Sequence, residues 1–177
     1  KMGVVDTGCD YGKNAHPDLI NVIREGVLTR PYLVGGPVPN SYYDKHVHGT
    51  AVTSVMSANG NNGRGITGVM WRSHVFMAKV SKNKSVSVDR LAQGITACAD
   101  ANCKVVNCSI SGPSKYYMLE WSVDHLLNKG GLLVSAAGNS NRSSKQYPAA
   151  YPHPNIISVG GTMYGNKGHE RWIDSDN

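Results

Sequence analysis

Short apolar runs alternate with longer stretches of helical periodicity along the 177 residues. Met2 to Asp6, His74 to Val80, Lys104 to Ile110, Leu132 to Ala136 and Ile156 to Gly160 have the length and apolar content of strands. Between them, helical patterns run at about Gly49 to Ala58, Val88 to Ala101 and Tyr116 to Lys129. Leu91, Ile95, Cys98 and Ala99 share one stripe of the second helix, and Leu119, Val123, Leu126 and Leu127 share one of the third. Gly130 and Gly131 then supply the left-handed stop that commonly ends a helix. Strands that are apolar almost throughout and alternate with helices predict an α/β fold. The expected architecture is three αβα layers around a mostly parallel, doubly wound sheet. Tyr32 to Tyr43 reads as an irregular loop, with Pro37, Pro39 and the Gly35-Gly36 pair. No repeat or linker divides the chain, so residues 1–177 are expected to form one domain without a second.

Charge and composition narrow the possibilities. Lys and Arg number 18 against 12 Asp and Glu, a formal net charge of +6. The positive residues are spread from Lys1 to Arg171 without a dense stripe or interleaved aromatics, which argues against nucleic-acid binding. The longest apolar run, around Leu132 to Ala137, is far too short to span a bilayer, so no membrane segment is expected. No signal peptide is visible either. The cysteines at 9, 98, 103 and 108 have no Cys-x-x-Cys spacing, which disfavours a zinc framework. Cys98 and Cys103 flank a helix end and could form a bridge in a secreted protein, or could be small buried thiols. Asn-x-Ser sequons begin at Asn83, Asn107 and Asn141; the first and last lie in loop-like stretches.

The candidate chemistry sits at the carboxyl ends of the predicted strands, where a doubly wound sheet gathers its ligands. Val4-Val5-Asp6-Thr7-Gly8 places a carboxylate at such an end, and His48-Gly49-Thr50 places an imidazole where a loop passes into a helix. A hydroxyl or thiol nucleophile needs an imidazole to take its proton, and the imidazole needs a carboxylate to fix its tautomer. Leu132 to Asn139 is a buried strand that runs into Ala136, Ala137 and Gly138 and ends on an amide. Small residues admit a substrate backbone, and an Asn side chain can donate to a developing oxyanion. Gly63-x-Gly65-x-x-Gly68 has the spacing of a dinucleotide fingerprint, but it follows a helix and precedes a strand, the reverse of what phosphate binding requires. Asp44, His46 and His48 could suggest a metal hydrolase, but no further His or Cys ligand recurs. Asp44 itself reads as a solvated loop acid.

Taken in order, these blocks resemble the subtilisin family of serine peptidases. His16-Pro17-Asp18-Leu19, Gly68 to Val80, Val106 to Gly112, and Tyr147 to Pro152 followed by Ile157 to Gly160 extend the resemblance over nearly the whole chain. The resemblance implies Asp6 as the orienting acid, His48 as the general base and Asn139 as an oxyanion donor; Asp44, four residues before His48, resembles a family residue at the rim of the active site. Ser109, Ile110, Ser111 and Gly112 would offer a strand edge to a peptide substrate, and Ala136, Ala137 and Gly138 would wall the specificity pocket. No catalytic cofactor is implied. A structural calcium is, with Asp18 and Asn62 supplying part of a shell of six to eight oxygens together with carbonyls of the Asn61 to Ile66 loop. Family members are generally secreted zymogens, which implies a secretory-pathway location and an inhibitory propeptide as a partner.

The pattern breaks at the nucleophile. The family's Gly-Thr-Ser motif occurs nowhere in the 177 residues, and Ala51 stands where the family usually carries a second His. The expectation is therefore the N-terminal two-thirds of a serine endopeptidase domain, with a sheet incomplete at its C-terminal end and no activity by itself. The rival is an inactive pseudopeptidase or truncated product that binds peptides or a partner without cleavage.

Overall fold

The computed structural model describes residues 1–10, 16–20, 22–28, 44–81, 85–139, 143–165 and 168–171. The expected Tyr32 to Tyr43 loop and the sequons at Asn83 and Asn141 lie outside these residues. Six strands form one sheet in the order β2-β3-β1-β4-β5-β6. They are β1 Met2–Asp6, β2 Ile23–Leu28, β3 Val75–Lys79, β4 Val105–Cys108, β5 Leu132–Ala136 and β6 Ile156–Val159. Every neighbouring pair is parallel. A separate antiparallel hairpin joins β7 Thr162–Gly165 to β8 Gly168–Arg171. The helices are α1 His48–Ser57, α2 Val88–Asp100 and α3 Tyr117–Asn128. Neither β2 nor the hairpin is anticipated by the hydrophobic pattern.

Two apolar clusters cover the two faces of the sheet, which makes the three αβα layers. Val4, Cys9, Leu19, Val22, Val75 and Met77 pack beneath α1 with Val52 and Met56. On the other face Val5, Ala78, Val106 and Leu133 meet the stripes Leu91, Ile95, Cys98 of α2 and Leu119, Val123, Leu126 of α3. Each Val, Leu, Ile or Met among these is worth about 1.5–3 kcal/mol on full burial. Gly94 lets α2 lie close on the sheet, since a Cβ there would come within 2.6 Å of Val80 Cγ1 and 2.9 Å of Val5 Cγ1. Gly130, with φ +72°, ends α3 through Gly130 N–H to Leu127 O at 2.8 Å and Gly131 N–H to Leu126 O at 3.0 Å. All four cysteines are buried thiols outside any disulfide, so Cys98 and Cys103 pack as thiols here. Burial pushes the thiols of Cys9 and Cys108 up to about 12, far from the nucleophilic thiolate at neutral pH.

The α1 side of the sheet is covered only in part. Along β4 and β5 burial alternates, residues facing α2 and α3 being buried and those between them only half so. Ile157 and Val159 of β6 are about half exposed, and Val55 of α1 is 65% exposed. An apolar groove of about 560 Å³ runs there between Met2, Val52, Val55, Met56 and Met70.

Candidate functional site

In the sheet order β2-β3-β1-β4, the chain moves outward one way from β1 and returns to its other side with β4. That reversal opens a crevice beyond the carboxyl ends of β1 and β4, the place where doubly wound sheets bind ligands. Asp6 is the last residue of β1, Ser109 follows β4, and α1 begins with His48 at the same rim.

Asp6 is fully buried and His48 is half exposed; Asp6 Oδ1 and His48 Nδ1 are 2.7 Å apart. The Thr7 N–H donates to the same oxygen at 2.7 Å. Asp6 Oδ2 is buried without a partner. Burial raises the Asp6 carboxyl above its ordinary range, opposed by its bonds from His48 and Thr7. A hydrogen bond through Nδ1 leaves His48 Nε2 free at the exposed end of the ring to take a proton.

A cleft of about 530 Å³ contains His48 together with Ser109, Ile110, Ser111, Ala136, Gly138 and Asn139. Thr7, His46 and Val86 complete its lining. Ala137 stands between wall residues with its N–H on Val159 O at 2.9 Å. Gly112 is placed differently. It exchanges two backbone hydrogen bonds with Tyr147, 3.0 and 2.8 Å, and lines a smaller adjoining cavity of about 210 Å³. The Gly112 donor and acceptor are thus taken by Tyr147, while Ser109, Ile110 and Ser111 line the cleft. No Ser or Cys side chain among the described residues bonds the His48 ring; Ser109 Oγ instead accepts from Asn107 Nδ2 at 3.0 Å.

Asp44 corrects the sequence expectation. It is 2% exposed rather than solvated, because four donors satisfy it. Oδ1 accepts from Thr7 Oγ1 (2.9 Å) and the His46 N–H (3.0 Å); Oδ2 accepts from the Thr50 N–H (2.8 Å) and Thr50 Oγ1 (2.9 Å). Burial alone would raise its carboxyl, but these bonds outweigh it and hold the group below the ordinary carboxylate range. Between Asp44 and His48, Val47 adopts φ +64°. A β-branched residue in the left-handed region costs about 1–3 kcal/mol and persists only where its surroundings enforce it.

Asp18 and Asn62 come together as the sequence suggests. Asn62 Nδ2 donates to Asp18 Oδ1 at 2.9 Å and the Ile66 N–H donates to Oδ2 at 2.9 Å. Asn62 Oδ1 is itself taken by the Arg64 N–H at 3.1 Å. The bonds from Asn62 and Ile66 lower the Asp18 carboxyl. Each Asp18 oxygen thus accepts one donor, and no group of three His, Cys, Asp or Glu suited to a metal occurs among the described residues, so a cation there would draw on Asn62 and backbone carbonyls as well. The arrangement locks the 61–66 loop onto the turn at Pro17–Leu19.

Comparison with known proteins shows the family and the fold. A sequence profile described as the subtilase family matches residues 1–169. Subtilisin Savinase of Lederbergia lenta is 36% identical over 167 residues, covering 94% of this chain and 56% of that protein. The major intracellular serine protease of Bacillus subtilis (strain 168) is 33% identical over 167 residues, covering 90% and 50%. Among solved structures, the S41 psychrophilic protease superposes with a TM-score of 0.78 at 28% identity, covering 97% of this chain and 57% of that one. The chain spans about half the length of these relatives.

Proposed function

The chain belongs to the subtilase family, and from that premise we propose that it carries the acid and base of a serine endopeptidase whose nucleophile lies outside these 177 residues. The observation that carries this is the 2.7 Å contact between buried Asp6 and half-exposed His48 at the mouth of the switch-point cleft. The triad would cleave peptide bonds without a catalytic cofactor. His48 Nε2 takes the serine Oγ proton as Oγ bonds to the substrate carbonyl carbon and the π pair moves onto oxygen. Asp6 holds Nδ1–H and stabilises the imidazolium. The Asn139 amide donates to the oxyanion. Collapse restores the carbonyl and breaks the C–N bond, with the proton on His48 passing to the leaving amine. Ser109, Ile110 and Ser111 bind the peptide backbone, Gly112 anchors that edge through Tyr147, and Ala136, Ala137 and Gly138 form the pocket wall.

The uncovered apolar groove beside α1 supports the same proposal. An apolar segment from elsewhere in the protein, packed in that groove, would reach the cleft next to His48. A structural calcium, held in part by Asp18 and Asn62 with carbonyls of the 61–66 loop, is carried over from the family resemblance. An inhibitory propeptide and a secretory location are carried over from the family resemblance, and the second is read by fractionating the producing cells, since one relative is named an intracellular protease.

The test is hydrolysis of an unfolded protein substrate by the full-length protein. His48→Ala should lower kcat/KM by about 100-fold to 10,000-fold, the contribution of a general base; unchanged hydrolysis would refute the assignment. The absence of Gly-Thr-Ser from these residues favours a second reading, a peptide-binding pseudopeptidase. That reading expects peptide binding by the full-length protein and no hydrolysis.

A further inference from the structure

Asp44 lies outside the acid–base pair, yet its hydrogen bonds end on both sides of it. The hydroxyl protons of Thr7 and Thr50 are committed to Asp44. Both hydroxyl oxygens accept in turn, Thr7 Oγ1 from the Gly49 N–H at 2.9 Å and Thr50 Oγ1 from the Asp10 N–H at 3.1 Å. Thr7 follows Asp6; Gly49 and Thr50 follow His48. One buried carboxylate thereby joins the end of β1 to the first turn of α1. The helix has no cap from its own N-cap side chain, Val47. Asp44 satisfies the Thr50 N–H instead and sets a negative charge at the positive end of the helix.

We infer that Asp44 is a positioning residue for His48: it fixes Thr7 and the first turn of α1 so that the imidazole stays on Asp6 with its proton on Nδ1. This rests on the proposal that His48 is the general base. Asp44→Asn is nearly isosteric but turns one oxygen into an N–H₂ group. That group must face either the Thr50 N–H or the His46 N–H, both donors, so bonds are lost and a repulsion is buried.

The test is made on the full-length protein with ¹⁵N-labelled histidine, using two-bond ¹H–¹⁵N correlations that report which ring nitrogen of His48 carries the proton. Wild type should show the Nδ1–H tautomer, and Asp44→Asn should shift it toward Nε2–H. Val123→Ala, a cavity variant of the opposite layer, should lower the melting temperature and leave the tautomer unchanged. Hydrolysis by Asp44→Asn should fall in kcat by about tenfold to 100-fold, as for a misplacement of about 1 Å, with KM within about twofold. Where Asp44→Asn does not fold, Thr50→Val removes one hydroxyl bond to Asp44, together with the acceptor of the Asp10 N–H, and should give a mixture of tautomers. The inference is overturned if wild type holds Nε2–H, if Asp44→Asn or its substitute keeps the wild-type tautomer, or if Val123→Ala changes it equally. Absence of hydrolysis in wild type would sink the proposed function alone, because the tautomer still decides the role of Asp44.

Discussion

Gly49 offers a sharp test of how closely α1 must approach β1. It is the second residue of the helix, where propensity alone favours Ala over Gly by about 1 kcal/mol. Space opposes the substitution. A Cβ on Gly49 would lie 2.1 Å from the Gly8 carbonyl oxygen and 3.0 Å from both Asp6 Oδ1 and Gly8 N. An ordinary carbon–oxygen contact is about 3.3 Å, so the helix start must retreat by roughly 1 Å. That retreat breaks the Gly49 N–H bond to Thr7 Oγ1, now 2.9 Å. The loss costs about 1 kcal/mol, and overpacking adds about 1–3 kcal/mol. Set against the propensity gain, Gly49→Ala should destabilise the fold by about 2 kcal/mol, read from urea unfolding midpoints. His48 moves with the helix, so kcat/KM of the full-length protein should fall by about 100-fold. A variant as stable as wild type, with hydrolysis within about twofold of it, would refute the reasoning.

Further outcomes follow from the same contacts. Because the folded-state pKa of Asp44 is depressed, its stabilisation is full above the unfolded value of about 3.9 and is lost as pH falls toward the folded one. The urea-stability gap between wild type and Asp44→Asn should therefore be largest near neutral pH and shrink below about pH 4; Asp10, Lys45 and Lys79, whose charges act in the same region, are common to both proteins. A gap that stays constant with pH would contradict this. Calcium held in part by Asp18 and Asn62 should raise the melting temperature of the full-length protein at millimolar concentration, and a chelator should lower it; no change with either would leave the 61–66 loop held by the bonds from Asn62 and the Ile66 N–H alone. The half-covered face, with Ile157 and Val159 about half exposed, should make this chain self-associate in sedimentation velocity. A monodisperse monomer would count against that.

The layers and most strands are legible because periodicity records burial: β1 and β3 are apolar on both faces, and the stripes of α2 and α3 are the residues that pack on them. β2 escapes because Arg24, Glu25 and Gly26 interrupt its apolar run, as an edge strand allows. The hairpin Thr162–Gly165 and Gly168–Arg171 carries polar residues and Gly, which leave no alternating signature. Asp6, His48 and Asn139 are legible as candidates because strand ends and a loop-to-helix passage can be read locally, and the parallel topology then decides that they share one rim. Asp44 is not legible in that way. Its partners Thr7 and Thr50 lie 37 and 6 residues away, and nothing local distinguishes a carboxylate with four donors from one in water. The hints are the resemblance of Asp44 to a family residue at the rim of the active site and the short hydroxyl residue that closely follows each of Asp6 and His48. The pairing of Gly112 with Tyr147 is likewise a tertiary event across 35 positions.

The central claim is that Asp6 and His48 serve a serine outside these residues. Treating the full-length protein and the 177-residue chain with a fluorophosphonate, then mapping the adduct by mass spectrometry, tests it directly. The expected result is one labelled serine beyond residues 1–177, labelling that His48→Ala abolishes, and no adduct on the chain alone. An adduct on any serine within residues 1–177, or no adduct on the full-length protein, would contradict the claim.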